Sequence, residues 1–134
     1  WGLAHDDAQL IMSDGSATIR FRNPADFSVV REIVVTDGEH PVERLNELEF
    51  ARGRIFANVW MTDRVAVIDP QSGQIDAWLD FSPLRMRLRK PPTWNEREHV
   101  LNGIAYDSAS DHFYLTGKCW PLLFEIDIDP QSFF

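Results

Sequence analysis

The segment from Leu45 to Asp63 reads Leu-Asn-Glu-Leu-Glu-Phe-Ala-Arg-Gly-Arg-Ile-Phe-Ala-Asn-Val-Trp-Met-Thr-Asp, and the chain states nearly the same plan twice more. Asn46 to Phe50 alternates polar and apolar, Arg52-Gly53 supplies a tight turn, and Ile55 to Trp60 is a second apolar run. That pattern predicts two short strands folded on each other. Gly2-Leu-Ala-His-Asp-Asp with Leu10-Ile-Met-Ser-Asp-Gly is one echo, and Gly103-Ile-Ala-Tyr-Asp with His112-Phe-Tyr-Leu-Thr-Gly-Lys-Cys-Trp is the other. A third strand is expected in each unit, at Thr18 to Phe21, Arg64 to Asp69 and Leu122 to Asp127. The first two units reach a fourth, Val29 to Val35 and Gln74 to Phe81, whereas the last stops at Asp129-Pro130-Gln131-Ser132, echoing Asp69-Pro70-Gln71-Ser72.

From Gly2 to the matching Glu47 is 45 residues and from Glu47 to Gly103 is 56, the 11 extra residues falling in a Pro- and Arg-rich insertion, 82–100. A period in the forties with four short strands per unit predicts an all-β fold, a β-propeller of four-stranded antiparallel blades. An antiparallel sandwich would leave the in-phase turns unexplained. The units run approximately over 1–36, 45–81 and 101–134, about three blades in 134 residues. Closed propellers generally use four to eight blades, because closure removes unpaired sheet edges. The chain therefore reads as the C-terminal portion of a longer protein, or as one chain of a ring completed by the remaining blades of another.

At 44% hydrophobic and 12% aromatic the chain has ample material for a core. A net charge of −8 argues against nucleic acid as a partner. No apolar run is long enough to span a bilayer as a helix, so no membrane partner is expected. The single cysteine, Cys119, lies in an aromatic strand and reads as a buried structural thiol. His5, His40, His99 and His112 lack ligand-like spacing, so no metal site is expected. Within the insertion, Leu84, Met86 and Leu88 alternate with Arg85, Arg87 and Arg89, as an extended flap or one helical turn ended by Pro91-Pro92. In an acidic chain such a basic cluster reads as a solvated face before an anion site.

Candidate chemistry recurs at two places in each unit. Trp1, Asn46 and Asn102 stand at the start of the first strand; Asp14, Trp60 and Lys118 stand at the end of the second. Successive blades bring such strand ends to one mouth of a propeller channel, where tryptophans and a few polar groups make a small-ligand pocket. Each has a structural alternative. The asparagines can tie blades together, Trp60 and Trp120 can be packing (favoured for Trp120, which Pro121 follows), and Lys118 in an apolar strand end needs a partner or a ligand. Glu47 and Glu49 are two apart and share a strand face, opposite Asn46, Leu48 and Phe50. A paired-carboxylate site is one reading; a bond from one of them to a neighbouring blade is the favoured one.

Trp1-Gly-Leu-Ala, Leu45-Asn-Glu-Leu-Glu, Ala57-Asn-Val-Trp-Met-Thr-Asp, Val100-Leu-Asn-Gly-Ile-Ala-Tyr-Asp and Thr116-Gly-Lys-Cys-Trp-Pro with Leu123-Phe-Glu-Ile resemble the glutaminyl cyclases of plant and bacterial type. The resemblance covers essentially the whole chain and matches the last three blades of that family's five-bladed propeller. It implies conversion of the N-terminal glutamine of peptides or proteins to pyroglutamate, with release of ammonia and without a metal or other cofactor. By the same resemblance Lys118 and Asn46 are catalytic: Lys118 is a positive donor near developing charge, and Asn46 hydrogen-bonds the substrate amide. Trp1 and Trp60 form the aromatic wall, and Asn102 joins the substrate-binding residues. The family's general acid/base glutamate belongs to a blade upstream of Trp1, and Glu47 does not stand in for it. A secreted or periplasmic location is implied by the family only. The alternative from another class is a non-catalytic propeller serving as a binding or scaffold module. A metal-dependent lactonase-like propeller is weaker still, because Trp60 and Lys118 do not suit a cation site.

Overall fold

The computed structural model describes residues 1–129 and 131. The first sheet contains β1 (Leu3–His5), β2 (Leu10–Ser13), β3 (Thr18–Arg22) and β4 (Val29–Val34). A short ribbon of β5 (Thr36–Asp37) and β6 (His40–Pro41) follows. The second sheet contains β7 (Leu45–Ala51), β8 (Arg54–Val59), β9 (Arg64–Ile68) and β10 (Ile75–Asp80). After one helical turn, α1 (Ser82–Arg85), the third sheet contains β11 (Leu101–Asp107), β12 (His112–Gly117) and β13 (Phe124–Ile126). Every pairing within the three sheets is antiparallel between consecutive strands. The expected turn at the end of the last unit falls partly on Pro130 and Ser132, outside the described residues.

The middle sheet explains the packing. Its strands β8 and β9 are buried along almost their whole length, because both faces are covered. Ile55, Ala57, Val59, Ala66 and Ile68 join Ile11, Ile19, Phe21 and Ile33 of the first sheet in one core. Phe56, Val65 and Val67 join Leu101, Ile104, Phe113 and Leu115 of the third sheet in another. Two-sided burial is what a continuous apolar run such as Ile-Phe-Ala-Asn-Val requires. By contrast, β2 and β3 alternate buried and half-buried positions, as one-sided strands do. The turn between β7 and β8 has positive φ at both Arg52 (51°) and Gly53 (73°), the twist-matched form for a two-residue hairpin.

The strands β1, β7 and β11 lie side by side, one from each sheet. Polar ties reinforce the apolar contacts between sheets. Arg52 pairs with Asp111 at 2.8 Å and donates to the Ile128 carbonyl, and Arg31 donates to the Pro70 carbonyl. The insertion folds as one helical turn rather than a flap. Leu88 is buried in the second core while Met86 stays exposed, and Arg85 bridges Asp63 and Glu96.

Candidate active site

The starts of β7 and β11 are not plain strands. Leu45 pairs with Val59 and Leu48 with Ala57, so Asn46 and Glu47 together oppose one residue, Asn58. In the third sheet Leu101 pairs with Gly117 and Ile104 with Leu115, so Asn102 and Gly103 together oppose Thr116. Each is a β-bulge, which bends the strand and re-aims its side chains. The alternation expected from Asn46 to Phe50 is therefore broken. Leu45 and Leu48 are buried in one core although three apart, because the extra residue shifts the register by one, while Ala51 is buried on the opposite face in the other core.

Two residues that sequence reasoning passed over hold these bulges. Among the described residues, Ser13 and Asn58 are the buried polar side chains. The Ser13 hydroxyl accepts from Gly2 N–H at 2.8 Å and donates to the Asn46 carbonyl at 2.6 Å, joining the first sheet to the second. One sheet further on, Asn58 Oδ1 accepts from Gly103 N–H at 3.2 Å. The signal was present: Asn58 is the lone polar residue in the apolar run Ile55–Val59. Asn58 Nδ2 and Asn102 Oδ1 are buried without a hydrogen-bond partner among the described residues. Arg22 Nε and Trp94 Nε1, away from these bulges, are in the same situation, and an unpaired buried polar atom costs about 1–3 kcal/mol.

Beside the first bulge, Trp1 and Trp60 meet edge to face with ring centroids 6.0 Å apart. They are 64% and 40% exposed. The Trp1 indole lies over Gly15, where any Cβ would collide with the ring. Trp60 N–H donates to the Arg44 carbonyl and Lys118 N–H donates to the Val100 carbonyl. Trp60 and Lys118 thus hold the same register position, each just past the second strand and opposite the residue preceding the first. The expectation that Lys118 sits in an apolar strand end is corrected: it is exposed in the turn after β12. Among the described residues its ammonium has no ion pair. Cys119 is likewise exposed, at φ 58°, not a buried structural thiol, because the chain turns away there. Trp120 is the packing tryptophan, buried in the second core with its indole N–H donating to the His99 carbonyl. Asp14 is committed to structure: hydrogen bonds from Ser16, then Arg20, hold its carboxyl down at about 2.

At the opposite ends of the same strands, His5, Asp6, Asp7, Glu49, Arg52 and Tyr106 line a polar cavity of about 280 Å³. Glu49 accepts from its neighbour Phe50 N–H at 3.0 Å and from Tyr106 N–H of β11 at 3.3 Å, the bond to a neighbouring sheet that the sequence favoured. Glu47 has no such partner among the described residues, and burial, then the Glu49 charge, raises its pKa above the usual 4.5. A carboxyl raised in the folded state contributes stability that is full below 4.5 and lost as pH rises through the folded value. Glu47→Gln is therefore expected to raise Tm at pH 7 and to flatten the rise in stability on acidification, read from melts between pH 4 and 8. An unchanged pH dependence would remove Glu47 as its source. The described residues hold no cluster of three or more His, Cys, Asp or Glu side chains placed for a metal.

A family profile described as glutamine cyclotransferase matches residues 1–128. A curated glutaminyl-peptide cyclotransferase of Arabidopsis thaliana is 37% identical over 132 residues, 98% of this chain but 41% of the relative. The crystal structure of Myxococcus xanthus glutaminyl cyclase superposes with a TM-score of 0.89 at 39% identity, covering 96% of this chain and 55% of that one. The β-propeller domain of Cps50 (Swd1) from Myceliophteria thermophila superposes with a TM-score of 0.50 at 13% identity, covering 94% of this chain and 38% of that one, a likeness of fold alone. The chain thus spans about half the length of the relatives it matches. Profile, sequence and backbone agree over nearly every residue: this chain belongs to the glutamine cyclotransferase family.

Proposed function

We propose that the three sheets are successive blades of a five-bladed propeller, and that their shared strand ends form part of the active centre of a glutaminyl-peptide cyclotransferase. The side-by-side placement of β1, β7 and β11 supports the ring, as does a chain covering 41% and 55% of its relatives. The observation that carries the activity is the group at one end. Edge-to-face Trp1 and Trp60, bulge-borne Asn46 and Asn102, and Lys118, exposed and without an ion pair among the described residues, occupy matching positions of adjacent sheets.

The substrate is a peptide or protein with N-terminal glutamine. Its uncharged α-amine attacks the side-chain amide carbon, a C–N bond closes the five-membered lactam, and the amide nitrogen leaves as ammonia after gaining a proton. An indole wall excludes water and orients the flat carboxamide. Asn46 bonds that carboxamide, and Lys118 donates to the oxygen as it becomes an oxyanion. Proton transfer falls to a glutamate carried elsewhere in the ring. Glu49 is unsuited, because both its oxygens are engaged and it lies three residues along β7 from Asn46, roughly 10 Å away.

The test is ammonia release from Gln-Ala and Gln-Gln by the protein carrying the complete ring, with Trp60→Ala alongside. Trp60→Ala is expected to raise KM at least tenfold while Tm stays within a few degrees, since a side chain this exposed contributes little to the core. A loss of roughly 3–5 kcal/mol of stability with KM unchanged would return Trp60 to packing. Absence of ammonia release by the wild-type ring would defeat the cyclotransferase reading.

A further inference from the structure

The insertion and the connection after β12 enclose a groove of about 270 Å³, lined by Arg87, Arg89, Pro121 and Leu122. Its position follows from strand direction. The first strand of each sheet starts at the tryptophan end, so the second and fourth strands finish there and the connections leaving them lie on that face. The segment 81–100 leaves β10 and enters β11 at Leu101, while 118–123 leaves β12, so both connections lie on the face that carries the candidate active site. Pro121 is three residues from Lys118, at most about 11 Å along the chain.

In a chain of net charge −8, ion pairs hold Arg20, Arg52, Arg54, Arg85 and Lys90. Arg22 and Arg31 donate instead to the Phe27 and Pro70 carbonyls, and Arg64 lies over the Trp78 ring. Arg87 and Arg89 have no carboxylate partner among the described residues; Arg87 only approaches the Phe124 ring, at 5.8 Å. Buried Leu88 between them fixes the backbone from which both arise, and Arg85 anchors the preceding turn to Asp63 and Glu96. Opposite them Leu122 is exposed beside Pro121. Two uncommitted guanidiniums facing an apolar wall suit a short acidic, partly apolar peptide segment.

We propose that this groove binds the substrate peptide downstream of its N-terminal glutamine and favours an acidic side chain at the second to fourth residue. The proposal rests on the cyclotransferase reading and adds the substrate class. An extended peptide advances about 3.3 Å per residue, so its second to fourth residues fall within about 11 Å of the first, the upper limit of the distance from Lys118 to Pro121.

The experiment uses the protein carrying the complete ring and compares Gln-Ala with Gln-Ala-Glu-Glu-Leu, Gln-Ala-Gln-Gln-Leu and Gln-Ala-Lys-Lys-Leu. The acidic pentapeptide is expected to show a KM about three- to tenfold below the neutral one, with the basic one highest, and the gap should shrink at high salt. Arg87→Gln with Arg89→Gln should abolish the preference while leaving turnover of Gln-Ala and Tm unchanged. Equal KM values for all three pentapeptides, or a preference that survives the double substitution, would overturn the proposal. Fluorescence anisotropy of labelled Gln-Ala-Glu-Glu-Leu separates this from the activity itself. If Gln-Ala is not turned over, salt-sensitive binding lost in the double variant still supports the groove, and absence of binding overturns it.

Discussion

Lys118→Ala is expected to lower kcat on Gln-Ala by about 10²–10³-fold while changing KM little, because one preorganised donor to a developing oxyanion has that worth. The side chain is exposed and unpaired among the described residues, so its loss should leave Tm within about a degree. Its position is set by backbone alone: Lys118 N–H to the Val100 carbonyl, the counterpart of Trp60 N–H to Arg44. Lys118→Arg should recover only part of the rate, since a broad fork does not place one donor where the ammonium stood. Full turnover in Lys118→Ala would exclude it from the chemistry.

Asn58→Ala is expected to cost about 1–3 kcal/mol of stability and to lower kcat/KM by an order of magnitude or more. It leaves Gly103 N–H without its acceptor and frees the bulge that carries Asn102. Phe56→Ala supplies the comparison. Phe56 is fully buried two residues earlier in β8 and packs at a tilt against Phe113, ring centroids 4.8 Å apart, so its removal should cost more, about 3–5 kcal/mol. Where both variants remain folded, the Phe56 variant should keep the higher kcat/KM. If activity simply tracks stability across the two, Asn58 is a packing residue and the bulge has no positioning role.

Much of the architecture was legible from turn chemistry and run length. The Arg52-Gly53 hairpin, the three-stranded last unit and the apolar run through β8 were each written locally, and local signals survive translation into structure. The resemblance in five short motifs likewise located the family. Boundaries were less sharp: β13 occupies only Phe124–Ile126 of the expected Leu122 to Asp127, because Thr116 Oγ1 captures the Leu122 carbonyl and holds the chain in a turn.

The sequence by itself determined that the chain is all-β, built of repeated hairpins, and that Trp1, Asn46, Trp60, Asn102 and Lys118 recur in phase. Tertiary structure alone decided what that phase accomplishes. The bulges at Asn46 and Asn102 cannot be read from composition, since a bulge is a mismatch between two strands, and neither strand records it. The same holds for Ser13 and Asn58, whose partners are backbone groups 33 and 45 residues away on another sheet. Exposure, too, belonged to the fold. Cys119 and Trp120 are neighbours in one aromatic segment, yet a single positive φ at Cys119 turns the thiol toward solvent while the indole enters the core.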